Sequence, residues 1–160
     1  MGQRRIAVVT AMTGGKDEMR DPVCQSAGVD YIAFTDEPQP DLRRWQVRPI
    51  PLWSSDLPHV HRRHARLIKV LATVLLADYE FVIWHDAHCD LLVEPELLVE
   101  RFLGESGADM AAFRHAKRRS AYEEARAVIR SELDSRKVVR SQVRSMRATG
   151  FPDVFGLFET

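Results

Sequence analysis

Three side chains that can bind a divalent metal ion stand close together near the middle of the chain. Asp86, His88 and Asp90 occupy alternate positions directly after the apolar run at residues 81–84. That run is short and rich in β-forming residues, which is typical of a buried strand. In an open α/β sheet, ligands bind outside the carboxyl ends of the strands. Oxygen and imidazole ligands at such a point suit Mn²⁺ or Mg²⁺ holding a diphosphate, so the pattern predicts a metal site on these three residues.

A purely structural interpretation stays open for each of these residues. An acidic residue after a buried strand is often only a turn former or the cap of the next helix, which alone would explain Asp86. The company of His85 and of two further candidate ligands favours a functional site. The spacing of His59, His61 and His64 also allows a metal site, but we interpret these histidines as the solvent-facing start of a helix.

The composition is that of an ordinary soluble protein. Of the 160 residues, 45% are hydrophobic and 29% are charged, which predicts a single domain over residues 1–160 with a real core. Cys24 and Cys89 form neither a disulfide framework nor a metal-type pair. The longest mostly apolar run, residues 70–77, is far too short to cross a bilayer, and the basic start lacks a clear signal-peptide cleavage pattern. We therefore expect a cytoplasmic protein without a membrane span.

The charge is unevenly distributed, although the formal net charge is zero. Residues 114–147 carry eleven Lys or Arg against four Asp or Glu, whereas residues 1–113 carry twelve against seventeen. A locally basic segment indicates an anionic partner: a nucleotide diphosphate, an acidic glycan or nucleic acid. A solvated basic helix face explains the same surplus equally well.

The order of apolar patterns predicts an α/β protein with a mostly parallel sheet flanked by helices. In the helix before the central strand, we expect Ile68, Leu71 and Leu75 to form the buried stripe. Ser120 and Glu123 have the spacing of a capping box. The predicted strands are residues 5–10, 30–35, 45–49 at an edge, 81–84 and 109–113, and the predicted helices are residues 61–77, about 95–104, 120–135 and 137–148.

Four further residues stand where they could contact a nucleotide ligand. Thr10 lies at the end of the first predicted strand, and Asp36 at the tip of the second, where an acid can accept hydrogen bonds from a ribose or base. Asp36 can equally open a turn before Pro38. Arg66 and Lys69 share one face of the helix that leads into the central strand, so their cations could face the same ligand as Asp86.

The order of these elements resembles nucleotide-sugar glycosyltransferases of the Rossmann-like GT-A fold. The resemblance rests on Arg66-Leu-Ile-Lys69, the buried strand, Asp86-Ala-His88 and the following Leu-Leu-Val-Glu-Pro. In glycogenin-like members, a lysine on the preceding helix contacts the donor diphosphate and an Asp-x-Asp motif binds manganese. By position, Lys69 would be that lysine and Asp86 the first acid. His88 stands where the second Asp is expected, which departs from the motif.

The chain is more closely similar to the TOD/MUCI glycosyltransferase-like domain family, over nearly its whole length. Members of this family typically continue with a further strand and helix, so we expect the chain to be a truncated piece of a longer domain. Many members have Gly near the position of His88, which leaves metal independence open. The shared pieces are the early strand ending near Asp36, Arg66-x-x-Lys69, Phe81-Val-Ile-Trp-His-Asp86, Phe113-Arg-His115, Tyr122-Glu-Glu-Ala125 and Gly156-Leu-Phe-Glu-Thr160.

These resemblances imply transfer of a sugar from a nucleotide-diphosphate donor to a glycan or protein hydroxyl. The leading hypothesis assigns catalysis to Asp86 and Glu159, and acceptor contacts to His115 and Tyr122. It assigns donor binding to Thr10, Asp36, Arg66 and Lys69, and the metal ion to Asp86, His88 and Asp90.

Two alternatives to this hypothesis stay open. One is a metal-dependent hydrolase that uses His85, Asp86, His88 and Asp90 around an activated water. The other is an inactive or basic module that binds an acidic glycan or nucleic acid through residues 136–147. The chain has no aromatic stacking set, which disfavours nucleic acid.

Overall fold

The computed structural model describes residues 5–15, 18–38, 41–50, 59–153 and 157–158. The chain divides into two compact units, Met1–Asp109 and Met110–Thr160. A single domain over residues 1–160 stays a prediction. Within the described ranges, the search for membrane-crossing helices finds none of sufficient length and apolarity.

The first unit is built on a parallel sheet of four strands. They are β1 (Ile6–Met12), β2 (Val29–Thr35), β3 (Gln46–Pro49) and β4 (Phe81–Trp84), in the spatial order β3-β2-β1-β4. All seven residues of β1 are buried, as expected of a parallel strand covered on both faces. The predicted α/β, Rossmann-like fold is thus confirmed, and the predicted edge strand near residues 45–49 is β3.

Two helices pack against opposite faces of this sheet. Helix α1 (Val60–Leu75) contacts β1 and β4 and buries Ile68 among the side chains of Ala7, Val9 and other residues on one face. Helix α2 (Pro95–Val99) contacts β1 and buries Val99 on the other face. It begins with Pro at its first turn, as predicted, and continues as a π-helical turn over Glu100–Gly104.

The buried face of α1 differs from the predicted one. His64, Ile68 and Ala72 are buried, whereas Val74 and Leu75 are exposed. The buried residues follow a spacing of four along the helix, so they lie on one narrow face. The small Ala72 lets the helix lie close to the sheet, and the narrow sheet covers only part of the apolar surface. The prediction that Leu75 belongs to the buried stripe was therefore wrong, although Ile68 was placed correctly.

The second unit contains helices α3 (Ala121–Arg130) and α4 (Arg136–Ala148). The Ser120 hydroxyl accepts a hydrogen bond from the Glu123 N–H at 3.2 Å, which is the predicted N-cap. The Glu123 carboxylate accepts from the Arg119 N–H at 2.8 Å and so completes the capping interaction one residue early. Helix α3 ends about five residues before the predicted boundary at residue 135.

The strand predicted at residues 109–113 is not formed. The described structure has only one isolated antiparallel bridge in this region, between Arg114 and Phe158. Met110 and Phe113 are strongly exposed. A run of β-forming residues becomes a strand only when a neighbouring strand supplies hydrogen-bond partners and a covered face.

The observed face of α1 predicts unequal costs for two truncations in this helix. We expect Ile68→Ala, at a position with no exposure, to lower the free energy of unfolding by about 2–5 kcal/mol. Leu75→Ala, at a position 39% exposed, should cost about 1 kcal/mol or less. Urea denaturation of both variants measures this difference. Equal losses would indicate that Leu75 is buried as the sequence predicted.

Candidate functional site

The carboxyl ends of the parallel strands meet at one edge of the sheet. The chain passes from β1 to β2 on one side of β1, and later returns through α1 to β4 on the other side. The direction of chain progression therefore reverses between β1 and β4. In open α/β sheets, a crevice at such a reversal point is where ligands bind. The residues that follow β1, β2 and β4 are thus the first candidates for a site.

A charged contact joins α1 to the end of β4. The Lys69 ammonium lies 3.4 Å from Asp86 Oδ1, and the Trp84 indole N–H donates to the same oxygen at 3.0 Å. The Lys69 Nζ also lies 5.1 Å from the centroid of the Trp84 ring. The structure thus brings together Lys69 and Asp86, two of the predicted site residues, through the last residue of β4.

These contacts keep the Asp86 carboxyl ionised. Partial burial would raise its pKa, but the Trp84 hydrogen bond and the positive charge of Lys69 outweigh burial and hold the pKa below its ordinary value. Asp86 is therefore a carboxylate at neutral pH. It can accept hydrogen bonds from hydroxyl groups or contribute one ligand to a cation.

The neighbouring His85 is turned into the protein. Its Nδ1 donates to the Asp86 carbonyl oxygen at 2.9 Å, and its ring lies 5.4 Å from the Trp45 ring between centroids. Burial lowers the pKa of His85, so the imidazole is neutral at pH 7. Its Nε2 is buried and has no hydrogen-bond partner among the described residues. The role of His85 as a ligand in the hydrolase alternative therefore stays a prediction that the burial of Nε2 does not favour.

A second polar group ties β1, β2 and α1 together at the same edge. The Asp36 carboxylate accepts from the Gly14 N–H at 2.9 and 3.2 Å and lies 3.0 Å from His61 Nδ1. The Thr13 hydroxyl donates to the His61 carbonyl oxygen at 2.8 Å. The Asp36 side chain is only 12% exposed, whereas that of His61 is 53% exposed. Asp36 therefore orients an imidazole that faces solvent.

His61 is the functional candidate that sequence reasoning did not select. The sequence did place it at an exposed helix start, which agrees with the structure, but not beside Asp36. One signal could have found it. A helix that links parallel strands runs antiparallel to them, so its first turn lies at their carboxyl edge. The first turn of α1 must therefore lie near the acid that follows β2.

Two further predicted donor-binding residues, Thr10 and Arg66, lie in opposite surroundings. Thr10 is fully buried inside β1, and its hydroxyl has no hydrogen-bond partner among the described residues. Its contact with a donor stays a prediction that this position does not favour. Arg66 is exposed on α1, on the same side of the helix as Lys69.

The three predicted metal ligands are not gathered into one cluster. Across the part of the chain that the structure describes, no group of three or more His, Cys, Asp or Glu side chains is placed to hold a metal ion. The prediction assumed an extended chain through residue 90, in which alternate side chains share a face. Instead, the Cys89 N–H donates to the Asp86 carbonyl oxygen at 2.9 Å and closes a turn. This turn contains His88 and redirects the chain before Asp90, so metal binding by these residues stays a prediction.

The two predicted acceptor-binding residues have partners inside the second unit. His115 Nδ1 accepts from the backbone N–H groups of Lys117 and Arg118, each at 3.0 Å. Tyr122 is buried and donates its hydroxyl hydrogen to the Phe151 carbonyl oxygen at 2.8 Å. These contacts give both side chains a structural role, and their acceptor role stays a prediction. Glu159, the predicted general base, lies outside the described residues.

The contact between Gly14 and His61 predicts that replacing Gly14 by alanine destabilises the folded state. Gly14 has φ +70°, and a Cβ added there would lie 2.9 Å from His61 Cγ. We expect Gly14→Ala to lower the free energy of unfolding by at least about 1 kcal/mol more than Gly107→Ala does, because overpacking typically costs ~1–3 kcal/mol. Gly107 is a matched control, since it has φ +64° in the same unit and open space around it. Equal losses in urea denaturation would contradict the close packing of Gly14 against His61.

The chain is similar to a known family of proteins. The chain matches the family model described as TOD1/MUCI70, glycosyltransferase-like domain, over residues 1–155. No curated protein and no solved structure matches the chain. The family supports a function of the glycosyltransferase type. With nearly every residue covered by the match, the chain belongs to the TOD1/MUCI70 glycosyltransferase-like domain family.

Proposed function

We propose that this protein transfers a sugar from a nucleotide-diphosphate donor to a glycan or protein hydroxyl. The observation that carries the proposal is the contact of Lys69, Asp86 and Trp84 at the carboxyl end of β4. It lies beside β1 at the point where the strand order reverses, which is the usual ligand crevice of such a sheet. The family assignment supports the same type of reaction.

The chemistry requires stabilisation of the diphosphate as it leaves. Negative charge develops on the diphosphate when the bond to the sugar breaks, and fixed cations lower the energy of that state. Lys69 is held in place by Asp86 and Trp84, so its ammonium is already oriented before a donor arrives. Arg66, one turn earlier on the exposed side of α1, adds a second cation that can form bidentate hydrogen bonds with phosphate.

Asp86 would act on the sugar side of the donor. A carboxylate next to a diphosphate is repelled unless a cation lies between them, and Lys69, 3.4 Å from Asp86 Oδ1, would be that cation. The carboxylate remains partly exposed and can accept hydrogen bonds from sugar or ribose hydroxyls. A divalent ion would add further positive charge there when bound. The residues in the described arrangement offer it no set of three ligands.

The nucleoside part of the donor would lie towards β2. The ends of β1 and β2 are joined there by the hydrogen bonds of Gly14 to Asp36, and the His61 ring is exposed beside them. The half-exposed imidazole of His61 can donate or accept one hydrogen bond to a ribose or base.

A thermal-shift panel of nucleotide sugars and nucleoside diphosphates, with and without Mn²⁺, tests this proposal. We expect at least one nucleotide to raise Tm, since a ligand at 100 times its Kd stabilises the folded state by about 2.7 kcal/mol. Lys69→Met and Asp86→Ala should each abolish the shift. Lys137→Met, which removes an exposed lysine from the second unit, should keep it.

Two results from the panel and one from a product assay would contradict the proposal. No shift with any nucleotide would refute a nucleotide-sugar donor. Release of free sugar at the same rate with and without an acceptor would indicate a hydrolase instead of a transferase. A shift that survives both Lys69→Met and Asp86→Ala would move the donor away from the end of β4.

A further inference from the structure

Helices α3 and α4 of the second unit border an open, shallow groove of about 510 Å³. We call it the arginine groove. Its volume lies within the range of ligand pockets, roughly 300–1,000 Å³. Its floor is apolar and its rim is cationic. It is lined by Tyr122, Ala125, Arg126 and Ile129 of α3 and by Arg140, Val143, Arg144 and Arg147 of α4.

The four arginines of the groove have no acidic partner within the described part of the chain. No acidic residue lines the groove. The two glutamates of α3 are engaged elsewhere, Glu124 with Arg118 and Glu123 with the Arg119 N–H. A merely solvated basic face would spread its charges outward, whereas these arginines come from two helices and surround one apolar floor. The groove therefore presents unneutralised positive charge to whatever fills it.

The floor of the groove is aliphatic and offers no free aromatic face. Its single aromatic residue, Tyr122, is buried, and the Arg147 guanidinium lies 5.5 Å from its ring centroid. Single-stranded nucleic acid is usually bound by stacking of bases on exposed aromatic rings, which this groove lacks. A fully polar polyanion would leave the floor of Ala125, Ile129 and Val143 uncovered. The occupant must therefore combine aliphatic groups with negative charges.

The spacing of the arginines on α4 matches that of an acidic helix. Helical rise is about 1.5 Å per residue, so Arg140, Arg144 and Arg147 follow one another at about 6 and 4.5 Å along the axis. A second helix with acids at positions i, i+4 and i+7 repeats the same intervals. When such a helix lies along the groove, a second set of its residues, which are aliphatic and spaced by three and four positions, can fill the floor.

We propose that the arginine groove binds an acidic amphipathic helix of another protein. Aliphatic side chains of that helix fill the floor, and its carboxylates pair with the rim arginines. The proposal does not depend on the proposed sugar transfer, because every residue it uses belongs to α3 and α4. It adds a protein-binding site to the chain.

The test uses the full chain and a fluorescein-labelled synthetic helix with leucines and glutamates at these spacings. We expect fluorescence anisotropy to show binding that Arg140→Glu with Arg144→Glu weakens by about tenfold or more, since losing close charge pairs costs at least that much. Arg130→Glu with Lys137→Glu reverses the same amount of charge at two exposed residues outside the groove and should leave the affinity unchanged. Circular dichroism checks that both double variants keep their helix content.

Three results would overturn the proposal. Equal weakening by the two double variants would show an effect of net charge alone. Unchanged binding of a peptide whose leucines are replaced by serine would show that the floor is not used. Tighter binding of a heparin fragment or single-stranded DNA than of the acidic helix would assign the groove to a polyanion instead.

Discussion

The burial of β1 on both faces is the constraint on which the first unit depends. Every residue of this strand is buried, and both of its neighbours, β2 and β4, run parallel to it. Parallel strands cannot be joined by tight turns, so each connection must cross a face of the sheet and return. All carboxyl ends therefore meet at one edge. This requirement brings the loops that carry Gly14, Asp36 and Asp86 to one edge, and the hydrogen bonds of Gly14 to Asp36 then fix two of them together.

Helix α1 places two polar side chains at this edge of the sheet. It is fixed to the sheet by burial of Ile68, and two of its polar residues then reach different strand ends. His61 in its first turn meets Asp36 after β2, and Lys69 two turns later meets Asp86 after β4. One rigid helix thus sets the positions of an imidazole and an ammonium group along the same edge. Such pre-positioning reduces the reorganisation needed when a charged ligand binds.

The sequence predicted most of the fold, because burial on both faces leaves a plain signal. Continuous apolar runs located β1, β2 and β4, and the helix boundaries followed from periodicity and from the Ser120 cap. The strand predicted at residues 109–113 failed because strand formation depends on a partner that local sequence does not specify. The stripe of α1 was misplaced at Leu75 because periodicity does not show which apolar residues of a helix the sheet covers, and Val70 and Val74 are exposed as well.

The candidate site was harder to predict than the fold. Lys69 and Asp86 could be selected because each lies next to a strong element, but two features of the site depend on local or tertiary geometry. The turn closed between Asp86 and Cys89 replaces the extended chain that would have aligned His88 and Asp90. The pairing of His61 with Asp36 joins residues 25 positions apart. Neither contact leaves a periodic pattern in the sequence, so only the assembled sheet edge reveals them.

The central claim is that Lys69 and Asp86 form one donor-binding unit. Isothermal titration calorimetry with a nucleotide sugar, on the wild type, Lys69→Met, Asp86→Asn and the double variant, tests it. Residues in contact typically show coupling energies of about 0.5–3 kcal/mol in such a cycle. The account predicts weakened binding in each single variant and coupling within this range. Unchanged affinity in both single variants, or losses that simply add, would contradict it.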